Sequence, residues 1–390
     1  MPGSDLTHMR VLMVVRPAAG GMKEHVLALS RGLAARGHEV AIAAPRASDI
    51  SVAAGTAGFA VHDVPIAGPL HPLQDPLAIA ALRRIVRDGA FDVVHAHGFK
   101  AGFVGRLGTA LAGKTPFVVT AHNHVLRRQE TPRAAKWRYR FVERALTGHV
   151  SHYIAVSDSI RAELVHDYGL AADRVTTVRN GVVPAPFLAE QDSAACRAAI
   201  GVPADTPTLG LAARFSTQKG LRDLMAALVD VRRAVPGALL LLGGSGPLES
   251  ELREQAAALE VSSAIRWLGH IDDVPAFLAA LDVYVSPSVT EALGLGLIEA
   301  ALAGVPTVAT DVGGVGEVVI ADKTGLLVAP SDPAALARAV VRLLEDREYA
   351  RTLAGAARIR CLAEFDPERM VDDTLAVYAA VVEPATSARP

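Results

Sequence analysis

Short apolar runs alternate with amphipathic helical patterns along this chain, in two successive series. The first series has apolar runs at 10–15, 38–44, 91–97, 115–122, 151–157 and 175–180. The second has runs at 208–214, 238–244, 264–269, 282–288, 305–310 and 325–330. Helical patterns lie between these runs. This alternation predicts parallel β-sheets with helices on both faces.

The two series are separated by "GVVPAPFLAEQD" (181–192), which has two prolines and no clean hydrophobic period. That composition predicts a linker. A chain of 390 residues is also too long for one ordinary core. We therefore predict two doubly wound α/β domains over residues 1–185 and 190–365, followed by a last helix over 366–385.

Composition narrows the class of protein. Hydrophobic residues make up 51% of the chain and charged residues 21%, which is typical of a globular protein. The longest apolar runs are far shorter than the roughly 18–20 residues of a membrane helix. The run that follows Arg10 is also too short for the core of a signal peptide. With only two cysteines no disulfide framework is indicated, so we expect a cytoplasmic protein.

Charge is distributed unevenly between the two halves. Residues 1–190 hold 22 Lys+Arg against 15 Asp+Glu, whereas residues 191–390 hold 17 against 26. The asymmetry favours two domains with different partners, although opposite net charges could also help two domains face each other. Because the basic excess is confined to one half and no nucleic-acid-binding module is recognised, we do not expect nucleic acid as a partner.

Ligands of open parallel sheets bind beyond the carboxyl ends of the strands, so the residues just after each strand are the candidates. In the first half, Gly20 and Gly21 open a helix whose N-terminus could attract an anion, although a plain turn explains them equally well. His122 in "TAHNH" could exchange a proton near neutral pH or could only cap a carbonyl. His95 and His97 favour a structural role. No acid or cysteine accompanies this H-x-H pair nearby, so no metal site is predicted.

The second half supplies charges of both signs at its strand ends. Arg214 and Lys219 flank a turn before a helix and suit a diphosphate. In "VTEALGLGLIEA", free amides of Leu293, Gly294 and Leu295 at a helix start could cradle phosphate or sugar hydroxyls. The carboxylates of Glu291 and Glu299 could accept hydrogen bonds from diols. Gly246 in "GGSG" lies in a strand–glycine loop–helix that lacks the nicotinamide fingerprint but could form a backbone-lined wall. Together these groups indicate a nucleotide sugar.

These segments, in this order, resemble glycosyltransferase family 4, the retaining group with the GT-B fold. The resemblance covers "VVHAHGFKAGFVGRL" (93–107), "TAHNH" (120–124), "ARFSTQKG" (213–220) and "GSGPLESEL" (244–252). It also includes the E-x7-E element, which is its most specific part. It implies two Rossmann-like domains facing a cleft, with the C-terminal helix crossing back to the first domain.

The resemblance also implies a role for each candidate. Arg214 and Lys219 would bind the donor diphosphate, Glu291 the sugar hydroxyls with amides at 293–295, and Glu299 the ribose. Ile271 would meet the base through its main chain. His122 would lie at the reaction centre, and Gly21 would approach the donor phosphate. The reaction would be a front-face hexosyl transfer with retention, from a donor that is uridine-linked in many members to an unknown acceptor, without metal or other cofactor.

Some departures and alternatives remain. Ala292-Leu293 replaces the Gly-Phe that often follows the first Glu, and "GGSG" replaces "GDG", which leaves donor preference open. A glycoside hydrolase would need two carboxylates but not the cations. A sugar-nucleotide epimerase and a non-catalytic nucleotide-sugar binder also fit.

Finally, the segment 127–145 has seven Lys+Arg with Trp, Tyr and Phe interleaved, so it could lie on anionic lipid at the inner membrane face or be a solvated helix.

Overall fold

The structure is a computed structural model, and it describes residues 8–18, 20–68, 71–127 and 132–387, with side chains up to 382. The chain divides into two compact units. Unit 1 comprises residues 1–181 and 367–390, and unit 2 comprises 182–366. Among the described helices, none is long and apolar enough to cross a bilayer.

Unit 1 is built on one seven-stranded parallel sheet. Its strands are β1 (Arg10–Val15), β2 (Glu39–Ala44), β3 (Ala60–Asp63), β4 (Val93–His97), β5 (Phe117–Ala121), β6 (His152–Ala155) and β7 (Val175–Thr177). Its helices up to the domain boundary are α1 (Gly21–Ala35), α2 (Asp49–Thr56), α3 (Gln74–Gly89), α4 (Phe99–Ala112), α5 (Arg133–Leu146) and α6 (Asp158–Ala162).

The strand order in this sheet is β3-β2-β1-β4-β5-β6-β7. The order reverses between β1 and β4, which is where a doubly wound sheet opens a crevice at its carboxyl edge. Every residue of β4 is buried, as expected for a strand covered by helices on both faces. The carboxyl ends of β1, β4 and β5 therefore bring the residues that follow them to one edge.

Unit 2 repeats the plan with a six-stranded parallel sheet. Its strands are β8 (Thr208–Ala212), β9 (Leu239–Gly243), β10 (Ile265–Gly269), β11 (Val283–Ser286), β12 (Thr307–Thr310) and β13 (Leu326–Val328). Its helices are α7 (Ala185–Leu188), α8 (Ser193–Ala199), α9 (Leu221–Ala234), α10 (Glu249–Ala258), α11 (Val274–Ala279), α12 (Leu295–Ala303), α13 (Val315–Val318), α14 (Pro333–Glu345) and α15 (Arg347–Glu364). The strand order is β10-β9-β8-β11-β12-β13, with the reversal between β8 and β11.

The last helix, α16 (Pro367–Ser387), belongs to unit 1 although it follows unit 2 in the chain. Its Met370, Val371, Leu375 and Tyr378 are part of the same hydrophobic core as β1 and α1. Arg36 at the end of α1 also forms ion pairs with Glu368 and Asp372 on α16. The return of the C-terminal helix to the first domain, which the resemblance implies, is therefore observed.

The predicted strands are all present, and β1 coincides with its apolar run, whereas each of the others is shorter than its run by one to three residues at one end or at both. Asp332 caps α14 as its position before Pro333 predicts, because its carboxylate accepts from the Ala335 amide. Two features differ from the prediction. The segment 49–63 contains α2 and the edge strand β3, and the segment 181–192 contains the short helix α7. Three of the four residues of β3 are exposed, so this strand does not form an apolar run in the sequence.

Candidate functional site

In unit 2, the loops that follow neighbouring strands pack closely on one another. The Val289 amide donates to the Gln218 carbonyl at 2.9 Å, which joins the loop after β11 to the loop after β8. Gly220 has φ +60°, and a Cβ there would lie 1.8 Å from the Pro287 carbonyl oxygen. Glycine is therefore required for this approach. The Gly314 amide after β12 donates to the Glu291 carbonyl at 3.2 Å.

This packing brings two predicted site residues into direct contact. Lys219 Nζ donates to Glu291 Oε2 at 2.6 Å, and the Ser288 hydroxyl approaches the same oxygen at 3.3 Å. Both charged side chains are largely covered, with 30% of the Lys219 side chain and 16% of the Glu291 side chain exposed. Arg214, on the same loop as Lys219, is exposed and has no hydrogen bond or ion pair to any described residue. The loop therefore carries two cations, Lys219 in an ion pair and Arg214 exposed.

The helix α12 begins beside this ion pair. Gly294 precedes it with φ +93°, and Leu295 is its first residue, so the first amides of the helix have no acceptor within it. Leu293 is buried beneath the turn. Glu299 lies four residues into the helix. Burial, and then the negative charges of Glu299 and Glu291, raise the pKa of Tyr284.

A second glycine in the E-x7-E element has a steric reason. A Cβ on Gly296 would lie 2.3 Å from the Tyr284 hydroxyl oxygen, so only glycine allows Tyr284 to pack under the first turn of α12. The two glycines therefore hold the helix start against the sheet, and the two acids at either end of the element are brought to the same region.

The two remaining donor-side residues of the prediction lie on the neighbouring strand ends. Gly246 follows β9, and a Cβ there would lie 2.4 Å from the Phe215 carbonyl oxygen, so this glycine lets the loops after β8 and β9 touch. The Phe215 amide donates to the Ser245 carbonyl at 2.9 Å. Ile271 follows β10 and packs against Gly243 at the end of β9. The predicted backbone wall is thus next to the Arg214 loop.

In unit 1, the predicted histidine lies in a cluster of buried imidazoles. His122 follows β5, and its Nε2 is 3.1 Å from Nδ1 of His97 at the end of β4. The His97 Nε2 faces the Met13 sulfur at 3.4 Å. His25, on the second turn of α1, stacks edge-on against His122 with ring centroids 4.7 Å apart. His25 was not predicted as part of this cluster, because it lies on a helix and not at a strand end.

The four histidines of this region differ in their hydrogen bonds. His95 is fully engaged, with Nδ1 2.7 Å from the Tyr378 hydroxyl and Nε2 2.6 Å from Thr120 Oγ1. This agrees with the structural role expected for it. No hydrogen bond of good geometry reaches either ring nitrogen of His25 from the described residues, and the side chain of Asn180, whose Oδ1 is also unmatched, is the polar group that interacts with it.

Burial favours neutral imidazoles throughout this cluster. It lowers the pKa of His25 to about 4, against a weaker opposing effect of Asn180, and the pKa of His95 to about 3. Burial and then the neighbouring histidines lower the pKa of His97 and His122 well below the usual value. These surroundings favour the neutral, hydrogen-bonding form of His122.

The glycine pair lies at the same edge. Gly20 has φ +60° and precedes α1, and Gly21 is the first residue of that helix. A Cβ on Gly20 would meet no atom within 4 Å, so its turn has open space beside it. Gly20 is required by its backbone conformation and not by packing, which agrees with either interpretation of the pair, a plain turn or an anion site.

His122 also lines a cavity of about 280 Å³ within unit 1. Its walls are mainly apolar and aromatic, with Phe99, Tyr139 and Tyr168 among them. Two buried ion pairs border it. Lys100 binds Asp75, and Arg106 binds Glu143 at 2.6 Å, with Glu143 also accepting from the Tyr153 hydroxyl at 2.8 Å. None of these cavity residues other than His122 was predicted, because their partners are 10 to 37 residues away.

Comparison with known proteins agrees with this geometry. A family model described as "Glycosyl transferases group 1" matches residues 192–360, and one described as "Glycosyltransferase Family 4" matches residues 19–185. The chain is 33% identical to a glycogen synthase of Mycobacterium tuberculosis, over 95% of each chain. It is 32% identical to a phosphatidyl-myo-inositol mannosyltransferase of Mycobacterium leprae, over 93% of each chain.

Among solved structures, the chain is similar in fold to Anabaena Alr3699/HepE, a structure in complex with UDP and glucose. The TM-score is 0.84 at 21% identity, over 95% of this chain and all of the other. The likeness at this identity concerns the fold, and the two parallel-sheet units agree with it. The chain therefore belongs to the group 1, family 4 glycosyltransferases and is a transferase enzyme with the GT-B fold.

Proposed function

We propose that this enzyme transfers a hexose or related sugar from a nucleoside-diphosphate sugar, uridine-linked, to an acceptor hydroxyl with retention of configuration. The observation that carries the proposal is the Lys219–Glu291 ion pair, which lies at the start of α12 beside the exposed Arg214. A cation and a carboxylate held 2.6 Å apart match a ligand that carries a diphosphate next to a ring of hydroxyls.

In this proposal the ion pair is the resting state of the donor site. Donor binding gives the Lys219 ammonium a diphosphate oxygen as its partner, and the Glu291 carboxylate then accepts from the sugar hydroxyls. Arg214 binds the diphosphate through two parallel hydrogen bonds, as guanidinium does with phosphate. The amides of Leu293, Gly294 and Leu295 add neutral donors at the positive end of α12.

The nucleoside lies along the rest of the same edge. Glu299 accepts from the ribose hydroxyls, Ile271 contacts the base through its main chain, and the loop at Gly246 forms the wall between them. These roles follow the resemblance residue by residue. They are supported by the positions of the residues after β9, β10 and β11, at the carboxyl edge where open parallel sheets bind ligands.

For the chemical step we propose front-face attack. The acceptor hydroxyl attacks the anomeric carbon on the face from which the diphosphate departs, the bond from that carbon to the diphosphate oxygen breaks, and this oxygen takes the hydroxyl proton. Lys219 and Arg214 stabilise the charge that develops on the leaving group, so the transfer itself needs no metal ion. Glu291 orients the sugar and is not a general base.

Unit 1 supplies the acceptor side. His122, as a neutral imidazole, hydrogen-bonds the acceptor, and the turn at Gly20 and Gly21 is the anion-binding turn to which the resemblance assigns a phosphate. The cavity beside His122 is the acceptor site, and its aromatic walls suit an acceptor with an apolar part. The similarity to a glycogen synthase and to a phosphatidyl-myo-inositol mannosyltransferase supports acceptors of the polysaccharide or glycolipid class.

The donor proposal is tested by a thermal-shift screen with UDP, GDP, ADP and their common sugars. A preferred nucleotide raises the melting temperature in proportion to the logarithm of its concentration over its dissociation constant. The structure in complex with UDP and glucose, which this chain is similar to, supports UDP as the preferred ligand. No shift with any of the nucleotides would contradict the proposal.

A product assay distinguishes a glycosyltransferase from a sugar-nucleotide epimerase and from a non-catalytic binder. The screened donor is incubated with and without maltooligosaccharide or phosphatidylinositol, and nucleotide release and sugar products are measured. Transfer predicts nucleotide release that depends on the acceptor and a product in which the anomeric configuration is retained. An epimerised sugar nucleotide without acceptor would indicate an epimerase, and binding without turnover would indicate a binder.

A further inference from the structure

The direction of the hydrogen bond between His97 and His122 follows from the contact on the far side of His97. His97 Nδ1 and His122 Nε2 are 3.1 Å apart, and His97 Nε2 lies 3.4 Å from the Met13 sulfur. The strands β1 and β4 are paired, and Met13 is opposite His95, two residues before His97, so Met13 and His97 lie on the same face of the sheet. Met13, His97 and His122 therefore form a continuous row of hydrogen-bonding groups.

The sulfur determines which nitrogen of His97 carries the proton. A thioether can accept a hydrogen bond but has no proton to donate, so Nε2 of His97 is the donor in this contact. Met13 and His97 are fully buried, and burial lowers the pKa of His97, which favours the neutral ring with a single N–H. Nδ1 of His97 is therefore unprotonated and acts as an acceptor.

The protonation of His97 determines that of His122. Because His97 Nδ1 is an acceptor, the Nε2 of His122 that faces it must carry a proton and donate. Burial, and then the neighbouring histidines, lower the pKa of His122, so this ring is also neutral and has one N–H. Its Nδ1 therefore keeps a lone pair, and the bond to His97 is the hydrogen bond that the ring makes within the described part of the chain.

The other histidines of the cluster leave this arrangement intact. His25 stacks edge-on against His122 and has the Asn180 side chain as its polar neighbour. His95 contacts two hydroxyl groups, and each hydroxyl can donate or accept, so these contacts do not fix its tautomer. The row that ends on a sulfur has one direction, because the sulfur has no proton.

We infer that Met13 and His97 are positioning residues, which hold His122 in the tautomer whose Nδ1 accepts a hydrogen bond from the substrate. In a histidine the partner of one ring nitrogen decides which nitrogen is protonated. His122 lines the cavity of unit 1, whereas Met13 and His97 are not among the residues that line it. The two residues therefore act through His122 and not by contact with a ligand.

This tautomer restricts the chemical group that can meet His122. A hydroxyl can donate to Nδ1, whereas an ionised phosphate or carboxylate has only acceptor oxygens and would face its lone pair. The inference rests on the proposed function in one respect, namely that His122 meets the acceptor. In the proposed reaction the proton of the attacking hydroxyl goes to the diphosphate oxygen, so Nδ1 accepts from a second hydroxyl. The part of the acceptor at His122 is therefore a neutral polyhydroxyl group, such as a sugar ring.

The tautomers can be measured in the full-length protein. Long-range proton–nitrogen NMR spectra of protein labelled with ¹⁵N-histidine distinguish protonated from unprotonated ring nitrogens. We expect His97 and His122 both to carry the proton on Nε2, and the variants His97→Asn and His122→Asn assign the signals by their loss. A spectrum in which His122 is protonated on Nδ1 would overturn the inference.

Met13→Leu tests the role of the sulfur, because it removes the acceptor and nearly conserves the volume. Both tautomers of His122 should then appear, and equal populations would lower the transfer rate about two-fold, since the competent fraction is halved. Met9→Leu is the matched control, since Met9 is a second buried methionine of the same core, and it should leave the spectrum and the rate unchanged. Identical His122 signals in the two variants would exclude a role for the sulfur.

Two substitutions of His97 separate positioning from packing. His97→Leu removes the acceptor for Nε2 of His122 and should lower the transfer rate more than Met13→Leu does. The amide oxygen in His97→Asn can still accept from Nε2, so this variant should recover most of the rate, and equal rates in the two variants would contradict a positioning role. UDP binding and acceptor-dependent nucleotide release are measured on the parent. If the parent shows neither, the proposed function fails, and the spectra still decide the tautomer.

Discussion

At the scale of single residues, Lys219 and Glu291 are expected to bind different parts of the donor, Lys219 the diphosphate and Glu291 the sugar. If Lys219 binds the diphosphate, Lys219→Met should weaken UDP binding about 10- to 100-fold, because a charge-assisted hydrogen bond contributes about 1.5–3 kcal/mol. Glu291→Gln should not weaken UDP binding, because it weakens the Lys219–Glu291 ion pair that the diphosphate displaces, but it should lower the rate of transfer, since Glu291 then no longer orients the sugar. Calorimetric titration with UDP and a product assay measure the two effects.

Lys323→Met provides a matched control, because Lys323 is an exposed lysine of the same unit outside the site. Its UDP affinity should equal that of the parent. Equal UDP affinity in the parent and in Lys219→Met would rule out the diphosphate role of Lys219.

Two glycines of unit 2 give opposite predictions at the same scale. Gly246→Ala places a Cβ 2.4 Å from the Phe215 carbonyl oxygen, so we expect a loss of stability of about 1–3 kcal/mol, together with weaker UDP binding. Gly355 is exposed within α15, and its added Cβ would meet nothing within 4 Å. Gly355→Ala should therefore stabilise unit 2 by about 0.5–1 kcal/mol. Urea unfolding measures both, and a Gly246→Ala variant as stable as the parent would show that the two loops do not pack as described.

At the scale of elements, α5 is the strongest candidate for contact with lipid. Trp137 and Phe141 are 66% and 59% exposed and stack with ring centroids 5.5 Å apart. On another face of the helix, Glu143 is buried and binds Arg106. The helix is thus held by a buried ion pair while basic and aromatic side chains remain exposed. Residues 128–131 of the predicted segment 127–145 lie outside the described residues.

We expect the protein to sediment with vesicles that contain phosphatidylserine and less with vesicles of phosphatidylcholine alone, with binding that falls as salt increases. The double variant Trp137→Ser, Phe141→Ser should lose most of this binding. Leu77→Ser is the control, since Leu77 on α3 is 65% exposed and lies on a different helix of the same unit. Equal binding to both kinds of vesicle would favour the interpretation as a solvated helix.

At the scale of the whole molecule, the assignment of the donor to unit 2 predicts which segments are protected from hydrogen exchange when UDP binds. Hydrogen exchange with and without UDP should show slower exchange in 213–220 and 287–296, the loops that follow β8 and β11 in unit 2. The segment 93–107 of unit 1 should be unaffected by UDP alone. Protection confined to unit 1 would contradict the assignment of the donor to unit 2, whatever the affinity.

The strands of the fold could be predicted from the sequence where most of their residues are buried and therefore apolar. β4 and β9 are entirely buried and appear as unbroken apolar runs, whereas β3 has three exposed residues out of four and was missed. The start of α12 was predictable because glycine and the change of period coincide at Gly294. Short, exposed elements carry no such signal, and only their pairing in the sheet reveals them.

The positions of the candidate residues were predictable where they lie in the segment after a strand. Arg214, Glu291 and His122 lie in the segments after β8, β11 and β5. The contact between Lys219 and Glu291 was not predictable, because the two residues are 72 positions apart and their contact depends on the close approach at Gly220. His25 was missed for a related reason, since a helical position gives no indication of the strand end it faces.

The position of α16 has a consequence for synthesis on the ribosome. The helix that completes the core of unit 1, with Met370 and Tyr378, emerges only after all of residues 182–366. At roughly 5–20 residues per second, the nascent chain spends on the order of 10–40 s with the first 181 residues made but one side of their apolar interior uncovered. Slow translation of the second half, or premature termination before codon 378, should therefore expose this half-built interior to chaperones and proteases.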